Sequence, residues 1–189
     1  MQRAPFSLTF LGGTGTVTGS KYLLDYPHGG PHGDGRSQTL VDCGLFQGFK
    51  QLRLRNWAPL PLAAAAIESV VLTHAHLDHS GALPLLVRSG YRGRVYCTRS
   101  TADLCKILLP DSGHLQELDA AYANRKGFSR HHPALPLYTE DDAAHALQRL
   151  RPVDFIDPFA LPGGFEGAFT RAGHILGAAS LRLTGEGRP

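Results

Sequence analysis

Four side chains that commonly bind metal ions fall within six residues of one another. They are His74, His76, Asp78 and His79. They follow the apolar run 70–72, which we expect to be a buried strand, and precede a short helix predicted at 81–89. Zinc binds imidazole nitrogens and carboxylate oxygens, and a strand-to-loop transition lets such side chains converge on one point. The stretch therefore predicts a metal site, and a chance surface cluster is the weaker explanation.

The spacing inside this cluster favours two metal ions over one. His74 and His76 are two residues apart and can point the same way from extended backbone. Asp78 and His79 follow where the chain turns, so they can face a second ion. Two zinc ions about 3.5–4 Å apart can share a water and lower its pKa, which creates a nucleophile for hydrolysis. We therefore expect a dinuclear zinc hydrolase.

Further ligands must come from other parts of the chain, because each zinc ion takes three or four. His174 is the best candidate, since it follows a predicted strand and lies between two glycines that allow close approach of the backbone. Asp42 ends another predicted strand and is a ligand, a partner that orients a histidine, or a turn residue; we favour the orienting role. Asp42 and Asp78 are the candidate catalytic carboxylates.

The elements that must position these residues alternate between strands and helices, which is typical of a mixed α/β layered domain. Strands are predicted at 7–11, 21–26, 38–42, 70–72, 94–97, 152–155, 165–172 and 179–184. Helices are predicted at 81–89, 100–109, 115–125 and 139–149. We expect Pro110 to separate the second and third helices, and Thr139 to cap the fourth with Asp142 at its N3 position. The segments 27–36, 47–61 and 126–137 are predicted to be loops or irregular.

Other motifs are weaker. The glycines at 13, 15 and 19 have one residue too many for a dinucleotide fingerprint, and Gly19-Ser20-Lys21 is not a phosphate-binding loop, so we expect a strand-to-strand turn there. His114 faces either the cleft or the solvent. The pairs 131–132 and 28/32 are expected in solvated loops.

Basic residues have two open interpretations. Those at 92, 94, 99, 125, 126 and 130 either contact phosphates or form a dispersed charged surface. Aromatic residues at 91, 96, 122 and 128 lie near them in the sequence and favour a nucleic-acid surface.

Composition excludes several classes of protein. The formal net charge of +3 is too small to indicate nucleic-acid binding by itself. Three cysteines without a CxxC pair predict neither a disulfide framework nor a cysteine zinc site. No apolar run approaches the roughly 20 residues of a membrane span, and residues 1–10 lack a secretory signal. We therefore expect a cytoplasmic protein that does not contact a membrane.

Three motifs together resemble the metallo-β-lactamase superfamily. The segment 74–79 resembles its second motif, 40–44 its first, and 172–174 its third, in the same order and with similar spacing. Finer features are similar to the β-CASP RNA nucleases of that superfamily, bacterial RNA-processing exonucleases included. These features are the glycine turn 11–20, Cys43-Gly44-Leu45-Phe46-Gln47-Gly48, the segments 72–84 and 173–178, and 111–117 with the residues that follow it.

The resemblance implies a fold, a ligand set and a missing portion. The fold would be an α/β metallo-β-lactamase αβ/βα sandwich with mixed β-sheets. His74, His76 and His174 would hold the first zinc, Asp78 and His79 the second, and Asp42 would orient the site. The family also has a bridging aspartate, a later histidine and an inserted β-CASP domain, none of which is in this sequence. We therefore expect residues 1–189 to be an N-terminal portion that holds the second zinc poorly and has low activity.

The resemblance makes an RNA phosphodiesterase the first functional hypothesis, with RNA as substrate. A hydrolase of the same superfamily that acts on a thioester, a lactam or a small phosphoester is the second hypothesis. The third is a noncatalytic RNA-binding subunit. The sequence leaves open a homodimer, endo- or exonuclease action, and RNA preference.

Overall fold

The computed structural model describes residues 6–27 and 36–185. Its strands are β1 Ser7–Gly12, β2 Lys21–Pro27, β3 Arg36–Val41, β4 Ser69–Val71, β5 Arg94–Thr98, β6 Leu150–Val153, β7 Phe159–Leu161, β8 Phe165–Arg171 and β9 Ala179–Gly185. Its helices are α1 Lys50–Leu54, α2 Leu77–Ser80, α3 Leu83–Arg88, α4 Arg99–Lys126 and α5 Glu140–Leu147, with 3₁₀ turns at Arg55–Trp57, Ala64–Ala66 and Pro162–Gly164. Most of the loop predicted at 27–36, with His28 and His32, lies outside the described residues.

Two sheets organise the chain. The first has the order β1-β2-β3-β4-β5-β6, antiparallel from β1 to β3 and parallel from β3 to β6. The second is the antiparallel sheet β7-β8-β9. The parallel strands are joined through helices, as a parallel connection requires, because a tight hairpin cannot return the chain in the same direction.

The first sheet is covered on both faces. Successive residues of a strand point to opposite sides, and β4 illustrates this: Val70 packs with α3 and α5 in the larger core, whereas Val71 packs against Phe159 and Phe169 of the second sheet. Both valines are fully buried. The result is a layer of helices, a mixed sheet and a second sheet, which confirms the predicted α/β sandwich with mixed sheets.

The predicted break at Pro110 is wrong. Residues 99–126 form one helix, α4, with Pro110 inside it. Proline removes one helical hydrogen bond, but packing compensates for that loss: Leu109 is fully buried, and the first residues of α5 lie so close to Gly113 that a Cβ there would be 2.8 Å from the Glu140 nitrogen. Tertiary packing outweighs the local preference.

Two further differences concern short elements. The segment predicted to be irregular at 47–61 contains α1 and a 3₁₀ turn, and β7 was not predicted at all. β7 is only three residues long, too short to show a strand pattern.

The predicted cap of α5 is confirmed: Thr139 and Asp142 form a reciprocal capping box.

The candidate site lies at the carboxyl ends of the parallel strands of the first sheet. Val41 of β3 is paired with Val71 of β4, so the residues that follow both strands emerge at the same place. Asp42 follows β3, and His74 follows β4. The N-terminus of α4 follows β5 at the same end of the sheet. No helix among the described residues is long and apolar enough to cross a membrane.

Candidate metal centre

Three histidines from two distant parts of the chain meet at the carboxyl ends of the parallel strands. The ligand nitrogens of His74, His76 and His174 all lie within 4.8 Å of one another. His74 is buried, His76 is half-buried and His174 is exposed, so the cluster opens from the core to solvent. In the described part of the chain, no other three histidine, cysteine or acidic side chains gather in this way.

The spacing of these nitrogens fits zinc. In a tetrahedral site with Zn–N bonds of about 2.0–2.1 Å, two ligand nitrogens are about 3.3–3.4 Å apart. The Nε2 atom of His174 lies 3.2 Å from the Nδ1 atom of His76. The imidazole ring of His74 lies 5.0 Å, centroid to centroid, from the ring of His76 and 5.0 Å from the ring of His174. Small side-chain rotations would therefore bring three nitrogens onto one ion.

His174 is held in place by a loop that follows β8. Ala172 donates a backbone hydrogen bond to Ala178 and closes the loop that carries the histidine. The Gly177 carbonyl lies 2.7 Å from the Thr98 hydroxyl and 3.1 Å from the Thr101 hydroxyl, at the start of α4. A Cβ at Gly177 would lie 2.6 Å from the Thr101 nitrogen, so only glycine permits this contact. The packing of the loop on α4 thus positions a ligand 98 residues distant from His76 in sequence.

Asp42 is hydrogen-bonded to His79 and to Thr73, the residue before His74. Its side chain is buried, and its backbone is left-handed with a φ of 58°, a conformation that aspartate tolerates better than most residues. Its Oδ2 atom accepts a 2.7 Å hydrogen bond from Nδ1 of His79, and its Oδ1 atom accepts one of 2.7 Å from the Thr73 backbone nitrogen. A proton held on Nδ1 in this hydrogen bond leaves the lone pair of His79 on Nε2.

Thr73 extends this arrangement to a second histidine. Its hydroxyl donates to Oδ2 of Asp42 at 2.9 Å, since a carboxylate can only accept. The Thr73 hydroxyl oxygen also lies 3.0 Å from Nδ1 of His74 and can accept the proton on that nitrogen. The lone pair of His74 is therefore on Nε2. The sequence reasoning missed Thr73, and its position between strand β4 and His74 was the only available signal.

Replacement of Thr73 tests this hydrogen-bond relay. Thr73→Val keeps the shape but removes the hydroxyl, and we expect it to lower zinc affinity about 10–100-fold, the usual range for loss of an outer-shell partner. Thr73→Ser should keep an affinity close to that of the original chain. Competition against a chromophoric chelator measures both. Equal affinities for the two variants would show that the hydroxyl does not orient His74.

Asp78 and His79 are placed by backbone hydrogen bonds to two other loops. Ser20 donates to the Asp78 carbonyl at 2.9 Å, and Cys43 donates to the His79 carbonyl at 2.7 Å. The Nε2 atom of His79 lies 3.7 Å from a carboxylate oxygen of Asp78 and 3.5 Å from the Ser20 hydroxyl. The pair sits beside the three histidines, with the rings of His74 and His79 4.0 Å apart.

The electrostatics of the two inner histidines differ. Burial lowers the pKa of His74 to about 4, and the neighbouring imidazoles add to this effect. Burial also opposes a charge on His79, but the hydrogen bond to Asp42 and the nearby carboxylates outweigh it and raise the pKa of His79. His74 is thus neutral at pH 7, as a metal ligand must be.

The lowered pKa of His74 predicts a pH-dependent stability for the metal-free protein. The unfolded chain takes up a proton on His74 near pH 6.5, and the folded chain only near pH 4. Stability from this group is therefore complete above pH 6.5 and falls as the pH drops towards 4. Between pH 7.5 and 5 we expect a loss of roughly 1 kcal/mol relative to His74→Gln, after discounting for solvent screening. Urea unfolding of both proteins in EDTA measures it, and parallel pH profiles would contradict it.

Most of the other flagged residues lie outside the site. His114 is exposed and lies 3.9 Å from Glu140, so it belongs to the helix surface. The pair 131–132 is in an exposed loop, as predicted. Tyr91 is fully buried and Tyr96 packs against Phe159, so neither contributes to a nucleic-acid surface.

A family model and several curated proteins match this chain in sequence. The model of the metallo-β-lactamase superfamily matches residues 32–100. Ribonuclease TTHA0252 of Thermus thermophilus is 39% identical over 91% of this chain and 33% of its own length. Transcription termination factor FttA of Methanosarcina mazei is 34% identical over 91% of this chain and 24% of its own length. Endoribonuclease YSH1 of Eremothecium gossypii is 28% identical over 92% of this chain and 20% of its own length.

A solved structure supports the fold. The S60 mutant of a metallo-β-lactamase with a HARLDQ motif from Cronobacter sakazakii superimposes with a TM-score of 0.52 at 21% identity, over 94% of this chain and 55% of its own. The layered sheets and the histidine cluster agree with the match of residues 32–100 to the metallo-β-lactamase superfamily model. The ribonuclease relatives also bear out the resemblance to the β-CASP branch. The chain spans about a third or less of the length of these curated relatives.

Proposed function

We propose that this chain supplies the zinc-binding part of an RNA phosphodiesterase. The observation that carries the proposal is the convergence of His74, His76 and His174 beside the Asp78–His79 pair, on a chain whose relatives include two named ribonucleases. In the chemistry proposed, a water oxygen forms a new bond to phosphorus, the bond to the leaving ribose oxygen breaks, and that oxygen receives a proton.

Each residue has a role in this proposal. His74, His76 and His174 would hold the first zinc ion, and Asp78 with His79 would contribute to a second. Zinc, when bound, activates water and neutralises charge on the phosphate. Asp42 holds the Nδ1 proton of His79 directly and that of His74 through Thr73, so that both imidazoles offer Nε2. Asp42 thus acts as a positioning residue. We also propose that residues 1–189 are the N-terminal portion of a metallo-β-lactamase domain, since the chain spans about a third or less of the length of its curated relatives.

Substitution of Asp78 and His79 tests the activity. With zinc present, the chain should hydrolyse a labelled single-stranded RNA slowly but measurably under single-turnover conditions, and not nitrocefin or a thioester. The double variant Asp78→Ala/His79→Ala should lose at least about 100-fold in rate, since two groups beside the reacting centre are removed. Asp141→Ala, an exposed acid 3.5 Å from His145 on α5, is the matched control and should react as the original chain does.

Two outcomes would refute the proposal. RNA turnover that is unchanged in the double variant would show that the centre is not catalytic. Hydrolysis of nitrocefin or the thioester in preference to RNA would place the chain among the other hydrolases of the superfamily.

A further inference from the structure

Exposed aromatic rings and basic side chains meet where α4 ends. We call this set the α4-end patch, and it consists of Tyr122, Arg125, Lys126, Phe128 and Arg130. Tyr122 is 48% exposed and Phe128 is 65% exposed, with ring centroids 5.8 Å apart. The guanidinium of Arg125 lies over the Tyr122 ring, 5.5 Å from its centroid.

The charge of the patch is of one sign. Residues 122–132 contain three basic residues and two histidines, and no acidic residue. Within the part of the chain that the structure describes, Arg125, Lys126 and Arg130 have no carboxylate at ion-pair distance. By contrast, Arg99 is paired with Asp154 at 2.7 Å. The patch is therefore an unneutralised basic surface.

A purely structural explanation covers only part of this surface. Basic residues in the last helical turn interact favourably with the helix dipole, which accounts for Arg125 and Lys126. It does not account for Arg130, which lies beyond the helix, or for two half-exposed rings side by side. The combination of exposed rings and unpaired cations matches a polyanion with exposed flat faces. A single-stranded nucleic acid has these properties, whereas a duplex hides its bases in the stack.

We propose that the α4-end patch binds single-stranded RNA, with bases stacked on Tyr122 and Phe128 and phosphates contacted by Arg125, Lys126 and Arg130. The choice of RNA over DNA rests on the proposed function; the stacking and charge do not. The first turn of α4 holds the loop of His174, and Tyr122 lies about 35 Å further along the helix axis. The patch therefore anchors RNA at a distance from the metal centre and takes no part in bond cleavage.

The test is RNA binding by this chain in EDTA, so that the metal centre contributes nothing. The probe is a fluorescein-labelled oligouridine of roughly 20 nucleotides, followed by fluorescence anisotropy. Tyr122→Ala and Phe128→Ala should each raise Kd at least about fivefold. Arg130→Ala should reduce the slope of log K against log salt by about 0.7. A duplex RNA of the same length should bind more weakly and respond little to the ring substitutions.

Two variants serve as matched controls. Leu118→Ala removes a half-exposed apolar side chain from the turn of α4 before Tyr122. Arg94→Ala removes one positive charge from an exposed position on β5. Both should bind oligouridine as the original chain does, and circular dichroism should show that all variants keep their helix content.

The results separate this proposal from the proposed function. Binding without zinc-dependent cleavage would support the patch and count against the phosphodiesterase. Cleavage, with Kd unchanged in the ring variants or with no RNA bound in EDTA, would overturn the patch and leave the phosphodiesterase standing. If the chain self-associates in sedimentation and Phe128→Ala abolishes that without changing Kd, the patch is a protein contact and the proposal is wrong.

Discussion

Replacing His76 or His174 with alanine is expected to lower zinc affinity by more than about 100-fold, the upper end of the range for loss of an outer-shell partner. Each substitution removes one of three nitrogens that lie within 4.8 Å of one another, and the two that remain cannot enclose an ion. The two residues are 98 positions apart, so equal losses would show that they serve one centre. Titration of metal-free protein against a competing chelator measures the effect.

The surface histidines of the helices are the controls. His114 lies 3.9 Å from Glu140, and His145 lies 3.5 Å from Asp141. Each has an acidic neighbour, and neither belongs to a metal-binding group among the described residues. His114→Ala and His145→Ala should bind zinc as the original chain does. A loss in these variants equal to that in His76→Ala would mean that zinc binds the histidines non-specifically.

Gly44→Ala is expected to produce the largest loss of stability. A Cβ at Gly44 would lie 1.6 Å from the Asp78 carbonyl oxygen and 2.7 Å from the His79 nitrogen, and both of these are backbone atoms. The two loops must separate, which breaks the hydrogen bond from Cys43 to His79 and shifts His79 away from Asp42. Overpacking usually costs about 1–3 kcal/mol, and we expect the upper end here. Urea unfolding measures it.

Gly127→Ala is the matched control, because it introduces backbone strain without the collision expected at Gly44. Gly127 caps α4 with a φ of 66°, and no atom of the described residues lies within 4 Å of an added Cβ. Gly127→Ala should therefore cost only about 1 kcal/mol and leave zinc affinity unchanged. If both variants lose the same stability and both keep their zinc affinity, the contact between Gly44 and Asp78 does not position the centre.

The sequence predicted those features that depend on local patterns. The strands that carry Asp42 and His74 were predicted because their apolar runs end in polar residues. The cap at Thr139 followed from the spacing to Asp142. His174 was singled out by the predicted strand before it and the glycines on either side, and the resemblance to a family agreed. Its contact with His76 could not be derived from local patterns, since 98 residues of chain separate the two.

Features that depend on tertiary contacts were missed or wrong. The continuity of α4 through Pro110 depends on packing against α5, which no local rule describes. The relay through Thr73 depends on which hydroxyl lies between two side chains from different loops. Tyr91 was grouped with the surface aromatics because it is close to arginines in sequence, but it is buried in the core.

The most direct test of the metal centre is zinc X-ray absorption spectroscopy of the chain loaded with one equivalent of zinc. We expect nitrogen ligands at about 2.0–2.1 Å with the outer-shell scattering of imidazole, and a weaker imidazole signal in His174→Ala, which keeps two of the three histidines. Sulfur at about 2.3 Å would place the zinc at a cysteine instead and contradict the centre described here. A spectrum that is unchanged in His174→Ala would contradict it equally.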